Sequence, residues 1–389
     1  MGIRAQGNPI STFFDVWSNS GTDASSAFVP GQTVDASGGT KIPAGSSGNQ
    51  YTYHVFLQGD TSNFTVNNAS TDAEMEILIV AGGGGGGYSY YAGGGGAGGV
   101  VHGPTILVSP GTYPVSVGAG GDVPSSLTGP WTDTSGGVGG NSVFNGVTAL
   151  GGAGGAARDM PAVVPYPGVA AGGSGGGNEG YDVSSTTRTA VPQPVPGDYI
   201  AYGNPGGASA TYAGGGGGGA GGVGGGAQRP ANWPLPNVGS HIGGPGGAGK
   251  AFPGFPGPVI SPAIPTTLIP DIPTAAGGPG DSPQRQSFAT AVGPTGLYAG
   301  GGGGAIYWQQ PNSDPAADGK PAGGIGGGAD GAGVDIPGTM VDWLPAAQKG
   351  PARNSIENTG GGGGGGNYAA PSAGSDGANG IILIRYTTM

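Results

Sequence analysis

Short apolar runs near the two ends of the chain predict β-strands. The first group lies between residues 51 and 150, is rich in β-branched and aromatic residues, and is bounded by Gly, Asp, Asn and Ser. The last run, GIILIRY (380–386), contains four consecutive large aliphatic residues, a pattern typical of a central strand buried on both faces. EILIVA (76–81) is the matching run, so we expect these two strands to pair. The other runs are YTYHVFL (51–57), NFTVN (63–67), VVHG (100–103), TILVSPGTYPVSV (105–117) and SVFNGVTAL (142–150).

The long central part of the chain lacks these patterns. Between residues 151 and 377, Gly clusters alternate with Pro-rich and polar stretches, and they interrupt every candidate helical window. We therefore predict an all-β fold with essentially no α-helix. Residues 51–150 plus 379–389 form an antiparallel β-sandwich base, residues 151–378 form a large insertion, and residues 1–50 form an N-terminal attachment segment.

The glycine content raises the question of order. The chain has 96 Gly and 36 Pro among 389 residues, a level common in disordered chains. Its charged fraction of only 8% and its 15 Tyr, 9 Phe and 5 Trp argue against disorder. The fragment YAGGGG occurs three times, beginning at Tyr91 with Ala92, at Tyr212 and at Tyr298. A flexible tether has no reason to return to the same pattern.

Glycine runs of similar length can form polyproline-II-type helices. Such a helix has three residues per turn, rises ~3.1 Å per residue and makes no internal hydrogen bonds. Its backbone groups must therefore find partners on neighbouring helices, and only residues without Cβ allow that close approach. We predict a large polyglycine-II helix sandwich with irregular loops, in which the tyrosines cover helix ends; a solvated coil is the alternative.

Charge and residue content exclude several classes of function. The net charge is −11 and the 11 basic residues are scattered, so we expect no nucleic-acid partner. No apolar run approaches about 18 residues, so we expect no membrane insertion. Cysteine is absent, and the three histidines (His54, His102 and His241) form no acid–base motif. We expect no catalytic residues, no metal site and no cofactor, and therefore not an enzyme.

Three stretches resemble the glycine-rich tail-fibre and adhesin proteins of bacteriophages: EMEILIVAGGGGGG (74–87), GGGGAGGVVHGPTILVSPGTYPVSVGAGG (93–121) and GANGIILIRY (377–386). The resemblance extends over about residues 51–389. It implies a β-sandwich base that carries a sandwich of polyglycine helices, with distal loops that contact the host receptor. NPISTFFDVW (8–17) is similar to attachment segments of marine phage structural proteins. The connectors 178–213 and 250–299 are longer and richer in Pro than simple tip loops, which leaves open which connectors lie at the tip.

Aromatic residues in the connectors are the candidate receptor contacts, because rigid rings give contact area at low entropic cost. They could instead cover glycine helices or form an oligomer interface. The attachment candidates could likewise be a small local core. The receptor-binding candidates are Trp233, Tyr307, Trp308, Gln309, Trp343, Tyr88 and Tyr90, and the virion-attachment candidates are Phe13, Phe14 and Trp17.

These observations predict a virion structural protein, a tail-fibre or adhesin subunit on the phage tail or particle surface. Its N-terminus would bind other virion proteins, its loops would bind a host polysaccharide or outer-membrane protein, and a homotrimer is compatible. The alternative is a capsid- or neck-associated fibre or decoration protein without a receptor role. A third class, a cellular glycine-rich surface or ice-binding protein, requires a more regular face than these connectors suggest.

Overall fold

The strands of the protein form antiparallel sheets. The computed structural model describes residues 33–45, 50–89, 91–123, 135–157, 173–180, 190, 193–228, 242–265, 288–306, 321–332, 352, 354–366 and 374–387. The strands are β1 (Val34–Ser37), β2 (Thr40–Ile42), β3 (Tyr51–Phe56), β4 (Phe64–Ala69), β5 (Glu74–Val80), β6 (Val100–Leu107), β7 (Gly111–Tyr113), β8 (Val115–Ser116), β9 (Ser142–Phe144), β10 (Val147–Ala149), β11 (Ile200–Tyr202), β12 (Lys250–Ala251), β13 (Leu297–Tyr298) and β14 (Ile381–Thr387).

A six-stranded sheet in the order β11-β6-β5-β14-β3-β2 lies at the centre of the fold. The C-terminal strand β14 is antiparallel to both of its neighbours: Ile382 is opposite Ile79 of β5, and Leu383 is opposite Val55 of β3. The predicted pairing of the two aliphatic runs is confirmed. Both runs are continuous rather than alternating because both faces of this sheet are buried.

Two smaller sheets, β1-β4-β7 and β10-β9-β8, cover one face of the central sheet. Phe64 of β4 and Phe144 of β9 pack with Ile77, Ile79 and Ile382 in one hydrophobic core. The predicted all-β fold of antiparallel sheets is confirmed. The turn between β9 and β10 consists of Asn145 and Gly146, both with positive φ (45° and 83°), as a two-residue type I′ hairpin requires.

A capping layer covers the opposite face. Residues 250–265 and 288–298 form two short α-helices, Gly257–Ile260 and Phe288–Val292, and a 3₁₀ turn at Ser261–Ala263. Phe255, Ile260 and Val292 pack in one core with Leu78 and Leu383 of the central sheet. The described parts of 250–299 therefore lie on the β-sheet side. Their helices escape a search for helical periodicity because they are only one turn long.

An ion cluster joins the central sheet to the capping layer. The Arg385 guanidinium pairs with Glu76 and lies 4.2 Å from the centroid of the Tyr51 ring, and His102 Nε2 lies 2.8 Å from Glu76 Oε1. Burial raises the pKa of Glu76, but the hydrogen bond from His102 and the charge of Arg385 outweigh burial, so the pKa lies below its usual value. The cluster abuts Gly254 of the capping layer, where a Cβ would come within 2.7 Å of Arg385 Cζ and of Glu76 Oε2.

The glycine-rich segments of the chain are extended, lie side by side and are joined into an array by backbone hydrogen bonds. Along residues 82–87, the partner segment changes at each residue and returns after three residues. The first and fourth amides donate to one segment, the second and fifth to another, and the third and sixth to a third. The donor and acceptor pairs are Gly82 with Gly140, Gly83 with Ala378, Gly84 with Gly96, Gly85 with Gly137, Gly86 with Ser375, and Gly87 with Gly93.

Central segments of the array are nearly pure glycine. The backbone amides of segment 93–99 donate hydrogen bonds to three neighbouring segments, and its carbonyls accept hydrogen bonds from three others. The segment is therefore surrounded by six neighbours. A Cβ on Gly94 would lie 2.2 Å from the Gly302 carbonyl oxygen, and one on Gly95 would lie 2.1 Å from that of Gly84. The segments 82–87, 93–99, 214–220, 300–305 and 360–366 are buried throughout.

Outer segments tolerate a side chain at every third position. Examples are GGVGGN (136–141), GGVGGG (221–226) and GGPGGAG (243–249), in which Val138, Val223 and Pro245 are exposed. With three residues per repeat, one position in three faces away from the neighbouring segments.

The predicted division into three regions stays a prediction. In the described structure, β1 and β2 are sheet strands although they precede residue 51, and the glycine segments begin at Gly82, before residue 151. Phe13, Phe14 and Trp17, the attachment candidates, lie outside the described residues.

Candidate functional site

The end of the glycine array farthest from the sheets, which we call the distal end, is the candidate functional site. Segment 82–87 leaves the central sheet after β5 and ends at Gly87. The Gly366 amide donates to the Gly87 carbonyl, and the Ile306 amide donates to that of Ala332. Ala213 forms a bridge with Ile306. Segments that are far apart in sequence therefore end side by side.

The chain enters and leaves its aromatic connectors at this end. Connectors 307–320, 333–351 and 367–373 begin directly after Ile306, Ala332 and Gly366. Ala332 packs with Ala305 and Ala352, so connector 333–351 also ends there. Connector 229–241 begins and ends at a bridge between Gln228 and Ile242. The described flanks thus place both ends of these connectors at the distal end.

Most of the predicted receptor contacts belong to these connectors. Trp233 lies in 229–241, Tyr307, Trp308 and Gln309 in 307–320, and Trp343 in 333–351. These residues and Tyr90 lie outside the described residues, whereas Tyr88 lies within them.

Tyr88 is half-buried at the distal end and forms a parallel bridge with Gly366. Its neighbour Tyr91 is buried, and the Tyr91 amide donates to the Ser89 hydroxyl at 3.3 Å. The Tyr91 ring packs edge-on against Tyr212, with 5.7 Å between centroids. Sequence reasoning did not select Tyr212 as a contact, although the repeated YAGGGG fragment marked it.

The third YAGGGG fragment lies at the opposite end of the array. Tyr298 is fully buried against the capping layer, and its hydroxyl donates to the Phe255 carbonyl at 3.0 Å. Burial raises the pKa of Tyr298 well above its usual value. The segment after Tyr298 runs from the sheets toward the distal end, whereas the segments after Tyr91 and Tyr212 run toward the sheets. The same YAGGGG fragment therefore begins segments that run in opposite directions along the array.

A shallow depression of about 250 Å³ lies beside β10. Its lining contains no titratable side chain. The Gln193 side-chain oxygen accepts from the Leu150 amide, and the Gln193 amide nitrogen is buried without a partner. The lining residues are Gly146, Val147, Thr148, Leu150, Gln193, Pro194 and Pro196.

The described ranges contain no group of three or more His, Cys, Asp or Glu side chains suited to a metal ion. Within the same ranges, none of the helices has the length and apolar content needed to cross a membrane.

The glycine-rich character of the chain is also found in a known protein family. A family model described as a glycine-rich domain matches residues 57–387. The chain belongs to this family. The matched range begins directly after β3 and extends to the end of β14, so it includes β5, β6, β11 and β14 of the central sheet as well as the array. A search of curated proteins gives no match.

Proposed function

We propose that this glycine-rich domain protein is a phage virion structural protein, a tail-fibre or adhesin subunit that presents its distal connectors to a host-surface receptor. The observation that carries the proposal is the topology. The described flanks of connectors 229–241, 307–320 and 333–351 meet at one end of the array, and the sheets lie at the other. An adhesin requires this separation between a base and a recognition end.

The array suits the role of a rigid stem. Its three-residue hydrogen-bond period and its nearly pure glycine centre support a polyglycine-II helix sandwich. In that geometry a six-residue segment spans ~19 Å. Because all seven amides of the central segment 93–99 donate to other segments, the stem holds its loops at fixed positions without an α-helix or a disulfide.

The chemistry of the connectors supports recognition of a polysaccharide or an outer-membrane protein. Trp233, Trp308 and Trp343 belong to three different connectors. Aromatic side chains stack on sugar rings and fill protein pockets at low entropic cost.

The base supports attachment to the particle. β1 begins at Val34 within the sheet region, so the preceding residues, including Phe13, Phe14 and Trp17, join the molecule at its base. In this arrangement the N-terminal segment binds other virion proteins while the distal end faces outward.

Adsorption tests the proposal. We expect Trp233→Ala combined with Trp308→Ala and Trp343→Ala to reduce binding of the labelled full chain to host bacteria by about tenfold or more, because buried aromatic contacts dominate interface energy. The control is Leu107→Ala, at a 71% exposed position in β6 of the base, which should leave binding unchanged.

Unchanged adsorption of the triple variant would contradict the receptor role. If particles assembled with this variant also lost mechanical or thermal stability, the result would favour a capsid- or neck-associated decoration protein.

A further inference from the structure

Tyr212 has a backbone conformation that glycine normally provides. Ala210 and Ala213 exchange two backbone hydrogen bonds, of 3.0 and 2.9 Å, across a two-residue turn that consists of Thr211 and Tyr212. The φ angle of Tyr212 is 66°, in the left-handed region, which is unfavourable for a residue with a bulky side chain. Turns usually place Gly, Asn or Asp at such positions.

Elsewhere the same chain fills such turn positions with asparagine and glycine. The turn between β9 and β10 consists of Asn145 and Gly146, and 96 of the 389 residues are glycine. Tyr212 has the largest side chain among the described non-glycine residues with positive φ, which are Asn145, Tyr212, Ala299 and Asn358. Glycine at residue 212 would remove the strain. The tyrosine is therefore present at a conformational cost, which indicates that its ring has a role of its own.

Backbone hydrogen bonds at the distal end fix Tyr212 against Tyr91 and next to the pair Glu179-Gly180. The Tyr212 amide donates to the Gly180 carbonyl at 2.9 Å, and the Gly180 amide donates to the Tyr91 carbonyl at 3.1 Å. A Cβ on Gly180 would lie 2.6 Å from the Ala213 nitrogen, so glycine permits this close approach. The buried Tyr91 ring packs edge-on against the half-buried ring of Tyr212 and gives it a fixed support.

We propose that Tyr212 is a receptor contact, on which a sugar ring of a neutral host polysaccharide stacks. This inference rests on the proposed adhesin function and extends its binding site from the connectors to the array itself. Rigid aromatic rings give contact area at low entropic cost, and ligand sites combine them with a few polar groups. Thr211 and the half-buried Glu179 neighbour Tyr212 and Gly180 in the chain, and their oxygens can accept hydrogen bonds from sugar hydroxyls. The net charge of −11 disfavours an anionic polysaccharide.

Substitutions at residue 212 of the full chain test the proposal. Tyr212→Gly removes both the ring and the strain, so we expect binding of the labelled chain to host bacteria to fall by about tenfold while a cooperative melt is retained. Tyr212→Asn is a second variant, because asparagine tolerates positive φ and keeps a side chain beside Tyr91. Tyr212→Phe restores the ring, so it should restore most of the binding. Leu107→Ala on the base is the control that should leave binding unchanged.

Polysaccharide extracted from the host surface and immobilised separates the two classes of receptor. We expect it to bind the wild-type chain, and to bind Tyr212→Gly and Tyr212→Asn about tenfold more weakly. Equal binding of these three folded chains would overturn the proposal, because the ring would then serve stability alone. A wild-type chain that binds host cells but not the polysaccharide would also overturn it.

The triple variant of the connector tryptophans distinguishes this inference from the function on which it rests. If the triple variant loses adsorption while the Tyr212 variants keep it, the adhesin function stands and the role of Tyr212 fails. If the wild-type chain does not adsorb to host cells at all, both fail.

Discussion

At the scale of the residue, the array depends on the absence of a Cβ. At Gly94 and Gly95 an added Cβ would lie well inside van der Waals contact of a backbone carbonyl on a neighbouring segment. Backbone cannot move aside without breaking its own hydrogen bonds. Glycine loses more conformational entropy on folding than other residues, and the hydrogen bonds between segments must offset that cost.

Gly94→Ala should destabilise the fold by about 2 kcal/mol or more, as over-packing of a tight core does. The measurement is urea unfolding followed by circular dichroism. Gly226→Ala is the matched control on an outer segment, because its Cβ would have the Ala208 carbonyl oxygen as nearest neighbour at 3.7 Å. The control should be neutral within about 0.5 kcal/mol. Equal stability of both variants would indicate that the array is not close-packed at residue 94.

The buried environment of His54 should make the stability of the fold depend on pH. The ring is fully buried in β3: Nδ1 donates to the Gly38 carbonyl at 2.7 Å, and the Tyr386 hydroxyl donates to Nε2 at 2.9 Å. Burial lowers the pKa of His54 to about 4. The folded state therefore holds a neutral imidazole at pH values where the unfolded chain is protonated.

The free energy of unfolding should fall by about 3 kcal/mol as the pH drops from about 6.5 to about 4, because the unfolded state binds the extra proton in that window. His54→Gln removes the titrating group, so its unfolding free energy should depend less on pH across this range. Urea unfolding at a series of pH values gives both slopes. If the unfolding free energies of wild type and variant depended equally on pH, His54 would be ruled out as the origin of that dependence.

At the scale of the element, position in the array determines composition. All seven amides of segment 93–99 donate to backbone carbonyls. In the outer segment 221–228, the backbone amides of Val223 and Gly226 donate to no backbone carbonyl of the described residues. A nearly pure glycine sequence therefore marks a segment with neighbours on all sides, and the Gly-Gly-X pattern marks one that faces outward.

Amide hydrogen exchange should distinguish these two kinds of segment. We expect amides of 93–99 to exchange only through global unfolding, whereas those of Val223 and Gly226 exchange rapidly. Mass spectrometry of peptides that cover each segment provides the measurement, with the β5 peptide as a protected reference. Random-coil exchange across 93–99 would show that this segment is a tether rather than part of a packed array.

The sequence could predict most of the strands and the glycine segments, but not the place of every segment in the fold. The pairing of β5 with β14 followed from two unusual aliphatic runs, because few other strands match them. The opposite location of Tyr298 could not be predicted, since the YAGGGG fragment is the same in all three copies and only the chain path reverses the direction of the segment. The helices at Gly257–Ile260 and Phe288–Val292 were missed because tertiary packing, rather than periodicity, stabilises single turns.

At the scale of the whole molecule, the last strand joins every layer. β14 lies between β3 and β5, so its loss would divide the central sheet and leave two unpaired edges. Ile382, Ile384 and Tyr386 belong to the sandwich core, and Ile381 and Leu383 to the core under the capping layer. The segment that leads into β14 also closes the array, since the Ala378 amide donates to the Gly361 carbonyl.

A chain truncated after residue 379 should therefore fail to fold. Each large side chain of β14 contributes about 2 kcal/mol through burial, so the five together contribute about 10 kcal/mol. That sum is comparable to the entire stability of a typical domain. We expect the truncated chain to lack a cooperative melt, to elute as an expanded or aggregated species, and to be digested rapidly by protease. Removal of the last two residues alone, which follow β14, is the matched control and should preserve the melt. If the longer truncation retained a cooperative transition and a compact elution volume, the sheet and the array would have to be stable without the strand that connects them.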